Sequence, residues 1–213
     1  MAVASDRSPR YDIHVTATLS WSADPQLEIP MLPGTDRRIA ALETELTRIR
    51  HEFEAAIDTV PAGQLHRAPS GHWTPAQIVW HVAKVERGVA RLFERLDAAI
   101  PVTATVPPGP RPDQILTILD KYNFLDRSRK IDAPEGIRPP APEQVDLVAE
   151  RARWTDGRAQ LFAAMRHSGP RLSLMRFDHP IFGPFDGWQW ALMIGRHEQR
   201  HMLQLHEVVA ATA

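Results

Sequence analysis

Asp186-Gly-Trp-Gln-Trp-Ala-Leu-Met-Ile-Gly-Arg-His-Glu-Gln-Arg-His-Met-Leu-Gln-Leu-His-Glu-Val-Val-Ala210 reads as one amphipathic helix with its start encoded. Asp186 is placed to cap it, Gln189 occupies the capping-box position, and Phe185 and Trp190 can clamp the entry as a hydrophobic staple. Trp190, Ile194, His197, His201, Leu205 and Val208 recur at steps of three and four and share one face. Two histidines one turn apart thus sit on the seam that faces the core. Burying two imidazoles side by side costs free energy unless their nitrogens are satisfied, and a divalent ion satisfies both.

His197-Glu-Gln-Arg-His201 also spells the zinc-protease signature H-E-x-x-H, in which the histidines bind zinc and the glutamate is the general base. That reading fails on its third ligand. Only twelve residues follow His201, and the extended form needs Gly where Gln204 stands and His where Glu207 stands. Glu198 lies about 100° around the helix from His197, which directs it off the stripe and toward solvent. A third ligand must come from upstream.

Composition narrows the classes. The 213 residues suffice for one sizeable core. A net charge of −1 gives no reason to expect nucleic acid or an acidic membrane surface as a partner. The chain has no cysteine, which excludes disulfides, thiolate metal sites and a catalytic Cys. The N-terminus shows no signal-peptide pattern and no apolar run reaches membrane-spanning length, so a cytoplasmic protein is expected.

Residues 1–34 are expected to form an extended N-terminal arm. Tyr11 to Trp21 alternates weakly, and Pro25, Pro30, Pro33 and Gly34 then break the chain. His14, inside it, has no neighbours that suggest chemistry. Residues 35–213 form the second unit. The first helix spans 35–60, capped by Thr35, with Ile39, Leu42, Leu46, Ile49, Phe53 and Ile57 inward and the charged residues between them on a solvated face. His51 and His66 are expected on the surface.

A second helix, 72–100, begins Trp73-Thr-Pro-Ala-Gln-Ile78, with Thr74 as cap, Pro75 at the first position and Gln77 completing the box. Its stripe runs Ile78, His81, Val85, Val89, Leu92, Leu96, so a third histidine lies on a core seam. His81, His197 and His201 meeting between two helices make a three-histidine site with an open coordination position.

His72-Trp-Thr-Pro-Ala-Gln-Ile-Val-Trp-His81 resembles the second-helix motif of the DinB/YfiT-like superfamily. His179-Pro-Ile-Phe-Gly-Pro-Phe-Asp-Gly-Trp-Gln-Trp, continuing into Arg196-His-Glu-Gln-Arg-His-Met-Leu-Gln-Leu205, resembles its fourth-helix region. The resemblance implies an all-α four-helix bundle, usually dimeric. It also implies a divalent ion, zinc or nickel before iron or manganese, held by one histidine of helix two and the H-x-x-x-H pair of helix four, here His81, His197 and His201. Family members with assigned chemistry include S-transferases that use low-molecular-weight thiols.

Between these blocks, Pro107-Pro-Gly-Pro-Arg-Pro112 makes a stiff connector. Asp113–Lys130 has helical spacing and predicts a short extra helix in a long crossover. A third bundle helix is expected from about 143 to 167, with Val145, Val148, Ala152, Ala159, Phe162 and Met165 inward. The crossover can roof the pocket or merely decorate the bundle. The functional expectation is activation of water or a low-molecular-weight thiol against a small electrophilic substrate, by a hydrolase or an S-transferase. Glu198, Glu86 and His179 are the candidate bases, with His179 also read as a loop-packing residue. The alternative is a non-catalytic bundle that is stabilised by metal or binds a small molecule.

Overall fold

A computed structural model describes residues 36–128 and 131–212; the arm of 1–34, with His14, and the cap Thr35 lie outside the described residues. Four long helices carry the fold: α1 (Arg37–Asp58), α2 (Pro75–Ala99), α3 (Leu147–Ser168) and α4 (Gly187–Ala211). The principal contacts are α2 with α3 and α4, and α1 with α4 and α3, which puts α1 and α2 on a diagonal of an all-α four-helix bundle. No helix among the described residues is long and apolar enough to cross a membrane.

The helix starts obey local chemistry. At α2 the Gln77 amide donates to Thr74 Oγ1 at 3.2 Å, and the Thr74 amide donates to Gln77 Oε1 at 2.9 Å. At α4 the Gln189 amide donates to Asp186 Oδ1 and the Asp186 amide to Gln189 Oε1, while the Phe185 and Trp190 rings sit 5.8 Å apart. Both boxes satisfy amides that a helix start leaves without partners. α1 is capped by Asp36 rather than Thr35, its carboxylate accepting from the Arg38 amide. α3 begins four residues later than expected, because Pro142–Gln144 forms a separate 3-10 turn and Asp146 supplies the cap to Val148 and Ala149. α4 packs so close to α1 that a Cβ on Gly195 would fall 2.8 Å from Leu46 Cδ2.

The core is two apolar clusters, not one. Leu46, Val89, Leu161 and Ile194 belong to the first, and Phe53, Val82, Trp154 and Leu205 to the second. Between each pair lies one charged side chain: Arg50 on α1, Glu86 on α2, Arg158 on α3 and Glu198 on α4, all buried. The order in which each helix visits the two clusters shows that α1 and α4 run one way and α2 and α3 the other.

This layer overturns three expectations. Glu198 does not point to solvent; it is 1 % exposed. Arg50 is not on a solvated face of α1. The inward face of α3 is Glu150, Trp154, Gly157, Arg158, Leu161 and Met165, whereas Val148 is 81 % exposed and Ala152 and Ala159 face outward. The charged residues took the buried stripe because each finds an opposite charge there, which a search for apolar spacing misreads.

Of the extra helix expected at Asp113–Lys130, the described residues 113–128 are instead a run of turns. Gln114 bonds to Arg111, Thr117 to Gln114 and Asp120 to Thr117, each three residues back, with no continuous i→i−4 ladder. Side chains of α4 take carbonyls that a helix would use internally: Arg196 donates to Leu116 O and Arg200 to Phe124 O, each at 3.0 Å. Ile115 and Leu119 still plug into the core, so the apolar spacing was real but served a different backbone. Before α4, a small antiparallel hairpin joins β1 (Arg176–His179) to β2 (Gly183–Asp186), closing through Gly183 at φ +77°. Its location was expected to be a loop. Trp190 Nε1 donates to Phe177 O and ties the hairpin to α4.

Candidate metal centre

His81 sits two turns into α2, after the capped start has fixed that helix's orientation; His197 and His201 are one turn apart on α4. The contact between α2 and α4 brings the three rings together. His81 Nε2 lies 3.1 Å from His197 Nε2, and His201 Nε2 lies 3.1 Å from the same atom. All three histidines present a ring nitrogen within 4.8 Å of one another. Two nitrogens bound to one tetrahedral zinc at about 2.0–2.1 Å would lie about 3.3 Å apart, so the spacing suits a single small cation.

The outer nitrogens set the tautomers. His81 Nδ1 is 2.7 Å from Ile137 O, which can only accept, so Nδ1 carries the proton and Nε2 presents a lone pair. His201 Nδ1 is 2.7 Å from Gln204 Oε1, with the same result. His197 has at most one proton to offer on Nε2 and faces two acceptors, so in a neutral triad one close N···N contact is lone pair against lone pair. Protonation relieves this poorly. Burial pushes His81 down to about 4, and His197 and His201 are held well below the ordinary value by burial first and then by a neighbouring imidazole, that of His201 for His197 and that of His81 for His201. A divalent cation satisfies all three nitrogens without adding a proton. The Ile137 and Gln204 oxygens orient the rings as outer partners of metal-binding histidines do.

Trp73 covers the cluster on its outer side, 4.7 Å from the His81 ring and stacked at 16° to His201. Next to the cluster opens a cavity of about 770 Å³. Its walls come from α2, α4, the hairpin and the crossover, which contributes Phe124, Arg127, Pro134 and Ile137. The crossover therefore roofs the site. Ile181 and Phe177, about half exposed, line the rim from the hairpin.

The three candidate bases fall in two places. Glu86 and Glu198 face the buried charge layer. Arg50 Nη2 donates to Glu86 and, at 2.8 Å, to Glu198; Arg158 donates to Glu86 and, at 2.9 Å, to Glu198. Trp154 Nε1 donates to Glu198 at 3.0 Å, and the Arg50 guanidinium lies 3.6 Å from the Trp154 ring. Burial and the neighbouring Glu198 charge raise Glu86 despite its two arginines. Neither carboxylate lines the cavity. His179 does line it, packed against Phe182, Phe185 and Trp190, with burial pushing it down to about 4. Its Nδ1 accepts from the Ile181 amide at 3.2 Å, so the neutral ring presents Nε2–H to its surroundings as a donor.

Several contributors were not singled out from the sequence: Ile137, Gln204, the covering role of Trp73, and Lys84 one turn beyond His81. Of these, Gln204 carried a readable signal, three residues after His201 on the same helix face. The charge layer also had one, since each helix has a charged residue on a three-and-four stripe and the four charges balance. A family model described as DinB superfamily matches residues 45–205, a span that contains the three clustered histidines, His179 and the four charged residues of the core. No curated protein and no solved structure matches the chain.

Proposed function

The chain belongs to the DinB superfamily, and from that membership and the converging imidazoles we propose a divalent-metal-dependent enzyme that activates water or a low-molecular-weight thiol against a small electrophile. The observation that carries this is the pair of 3.1 Å Nε2 contacts, which gathers three ring nitrogens within 4.8 Å of one another beside an open cavity. His81, His197 and His201 would hold the ion, with zinc and nickel the first candidates for neutral imidazole ligands. Because all three ligands are neutral, the ion would supply its full charge as a Lewis acid, lowering the pKa of a neighbouring water or thiol. The protein's part is positional. Ile137 O and Gln204 Oε1 fix the ring orientations, Trp73 keeps solvent from the outer face, and His179 offers a proton donor from the opposite wall.

Glu86 and Glu198 are both committed to arginines, and that favours a second reading as well: a metal-stabilised bundle that binds a small molecule without turning it over. The two readings share a first experiment. Tag-free protein analysed by mass spectrometry should hold about one divalent ion per chain, and His81→Ala and His197→Ala should each lose it. Retention by His81→Ala would sever the link between α2 and α4 and sink both. With the ion present, a screen of thiol-transfer and ester-hydrolysis reactions separates them, since the enzyme reading requires turnover that disappears with the ion.

A further inference from the structure

One face of α2 forms a continuous wall of the cavity: His81, Lys84, Val85, Gly88, Val89 and Leu92 follow at helical steps, ending at Arg95 on the rim. From His81 to Leu92 this wall is roughly 16 Å long at about 1.5 Å per residue. Trp190, Met193, Phe177 and Phe182 supply apolar surface elsewhere in the lining. Along α2 the wall therefore reads as His81, one cation at Lys84, an apolar stretch through Leu92 and a second cation, Arg95, at the rim.

The charge of the lining runs against that of the chain. The chain carries a net −1, yet Lys84, Arg95, Arg127, Arg138 and Arg200 line the cavity against only Asp132 and Glu207. Glu207 is already held by Arg127 through two bonds of 2.8 and 2.7 Å. Lys84 is half buried, has no carboxylate at ion-pair distance among the described residues, and has the Trp80 ring 5.7 Å from its ammonium. Three residues from His81, Lys84 lies one turn along the same face and lines the cavity with no carboxylate opposite it among the described residues.

We propose that the cavity binds a monocarboxylic acid with an apolar body, its carboxylate held by Lys84 beside the histidines and its body lying along Val85, Val89 and Leu92. This deepens the reading of the cavity as a substrate site and rests on it. A single ammonium suits one carboxylate. Arg95 and Arg138, exposed at the rim, attract the anion and do not fix it.

The test is calorimetric titration of octanoate and its neutral isostere octanamide into zinc-loaded protein and into the same protein stripped of metal, with metal content measured on each sample. Octanoate should bind at least about tenfold more tightly than octanamide. Lys84→Met should abolish that preference while octanamide binding stays unchanged, and Lys84→Arg should keep octanoate within about threefold. Absence of octanoate binding to the zinc-loaded protein, or equal affinity for acid and amide, overturns the proposal and leaves the metal reading untouched. Octanoate binding that survives Lys84→Met but vanishes on stripping assigns the carboxylate to the ion and overturns it too. Lys84-dependent binding to a protein that takes up no metal at all would keep the proposal and remove the metal reading.

Discussion

Where His81 meets His197 and His201, three neutral rings turn their inner nitrogens toward one another; on the same two helices, within five residues, Glu86 and Glu198 are locked to Arg50 of α1 and Arg158 of α3. Both clusters are polar groups inside an apolar bundle, and both sit on helical seams. They differ in whether the protein completes them. The charge layer is bonded by its own members, by the Trp154 indole and by the Leu46 and Trp154 carbonyls, with Glu198 Oε2 its one atom left without a hydrogen-bond partner. In the histidine cluster the outer nitrogens of His81 and His201 have partners, and the inner nitrogens face only one another. Opposite charges compensate one another in the first layer, whereas in the second a lone pair faces a lone pair, the arrangement that a cation would relieve.

That contrast can be broken, and the largest expected effect is on the closed layer. Arg158→Met removes one cation from a buried set of four and leaves Glu86 and Glu198 under-compensated, which should cost about 3–5 kcal/mol in urea denaturation. A cost below about 1 kcal/mol would show that the layer is not coupled. The converse holds for the open cluster: His197→Leu in metal-free protein relieves the lone-pair contact and should leave the denaturation midpoint unchanged or raise it.

Acid should separate the two as well. His81 in the folded, metal-free protein titrates near 4, against 6.5 for an unhindered imidazole. Above about 6.5 neither folded nor unfolded chain binds this proton and stability is flat; between 6.5 and 4 only the unfolded chain takes it up, so stability falls as pH falls through that window. The loss from His81 is of the order of 3 kcal/mol. Denaturation midpoints of metal-free wild type should drop between pH 6.5 and 4, and those of His81→Leu should drop less; parallel curves would show that this ring is not held neutral by burial. The smallest effect concerns the outer partner. Gln204→Leu should weaken zinc binding about tenfold by competition with a chelating dye, with the fold intact. Unchanged affinity would mean that the Nδ1 contact does not orient His201.

The same contrast governs what could be read in advance. α2 and α4 were legible because their starts are written in local chemistry, Thr74 with Gln77 and Asp186 with Gln189, and because histidines on an apolar stripe stand out. The four-helix architecture and the meeting of His81, His197 and His201 follow from those features. The charge layer was misread because its residues look individually like surface residues. Arg50 and Glu198 become core only when helices that are distant in sequence bring them together, and one chain does not display that pairing. α3 failed for the same reason: its buried stripe contains Glu150 and Arg158, so apolar spacing selected Val148 and Ala152 instead. In the crossover, Ile115 and Leu119 gave the right contacts but the wrong backbone, because Arg196 and Arg200 satisfy carbonyls from outside. The hairpin strands, four residues each with Pro184 inside one, are too short for alternation to register.

The placement of Trp73 over the histidines and of Trp190 on the cavity wall has an optical consequence. Trp73 lies 4.7 Å from the His81 ring and Trp190 lies 5.3 Å from that of His179, so two of the chain's six tryptophans are emitters built into the site. An open-shell ion such as nickel quenches a nearby indole, whereas zinc, with its filled d shell, leaves it bright. Nickel added to metal-free protein would therefore dim this emission and zinc would not, so the tryptophans themselves can distinguish the two ions.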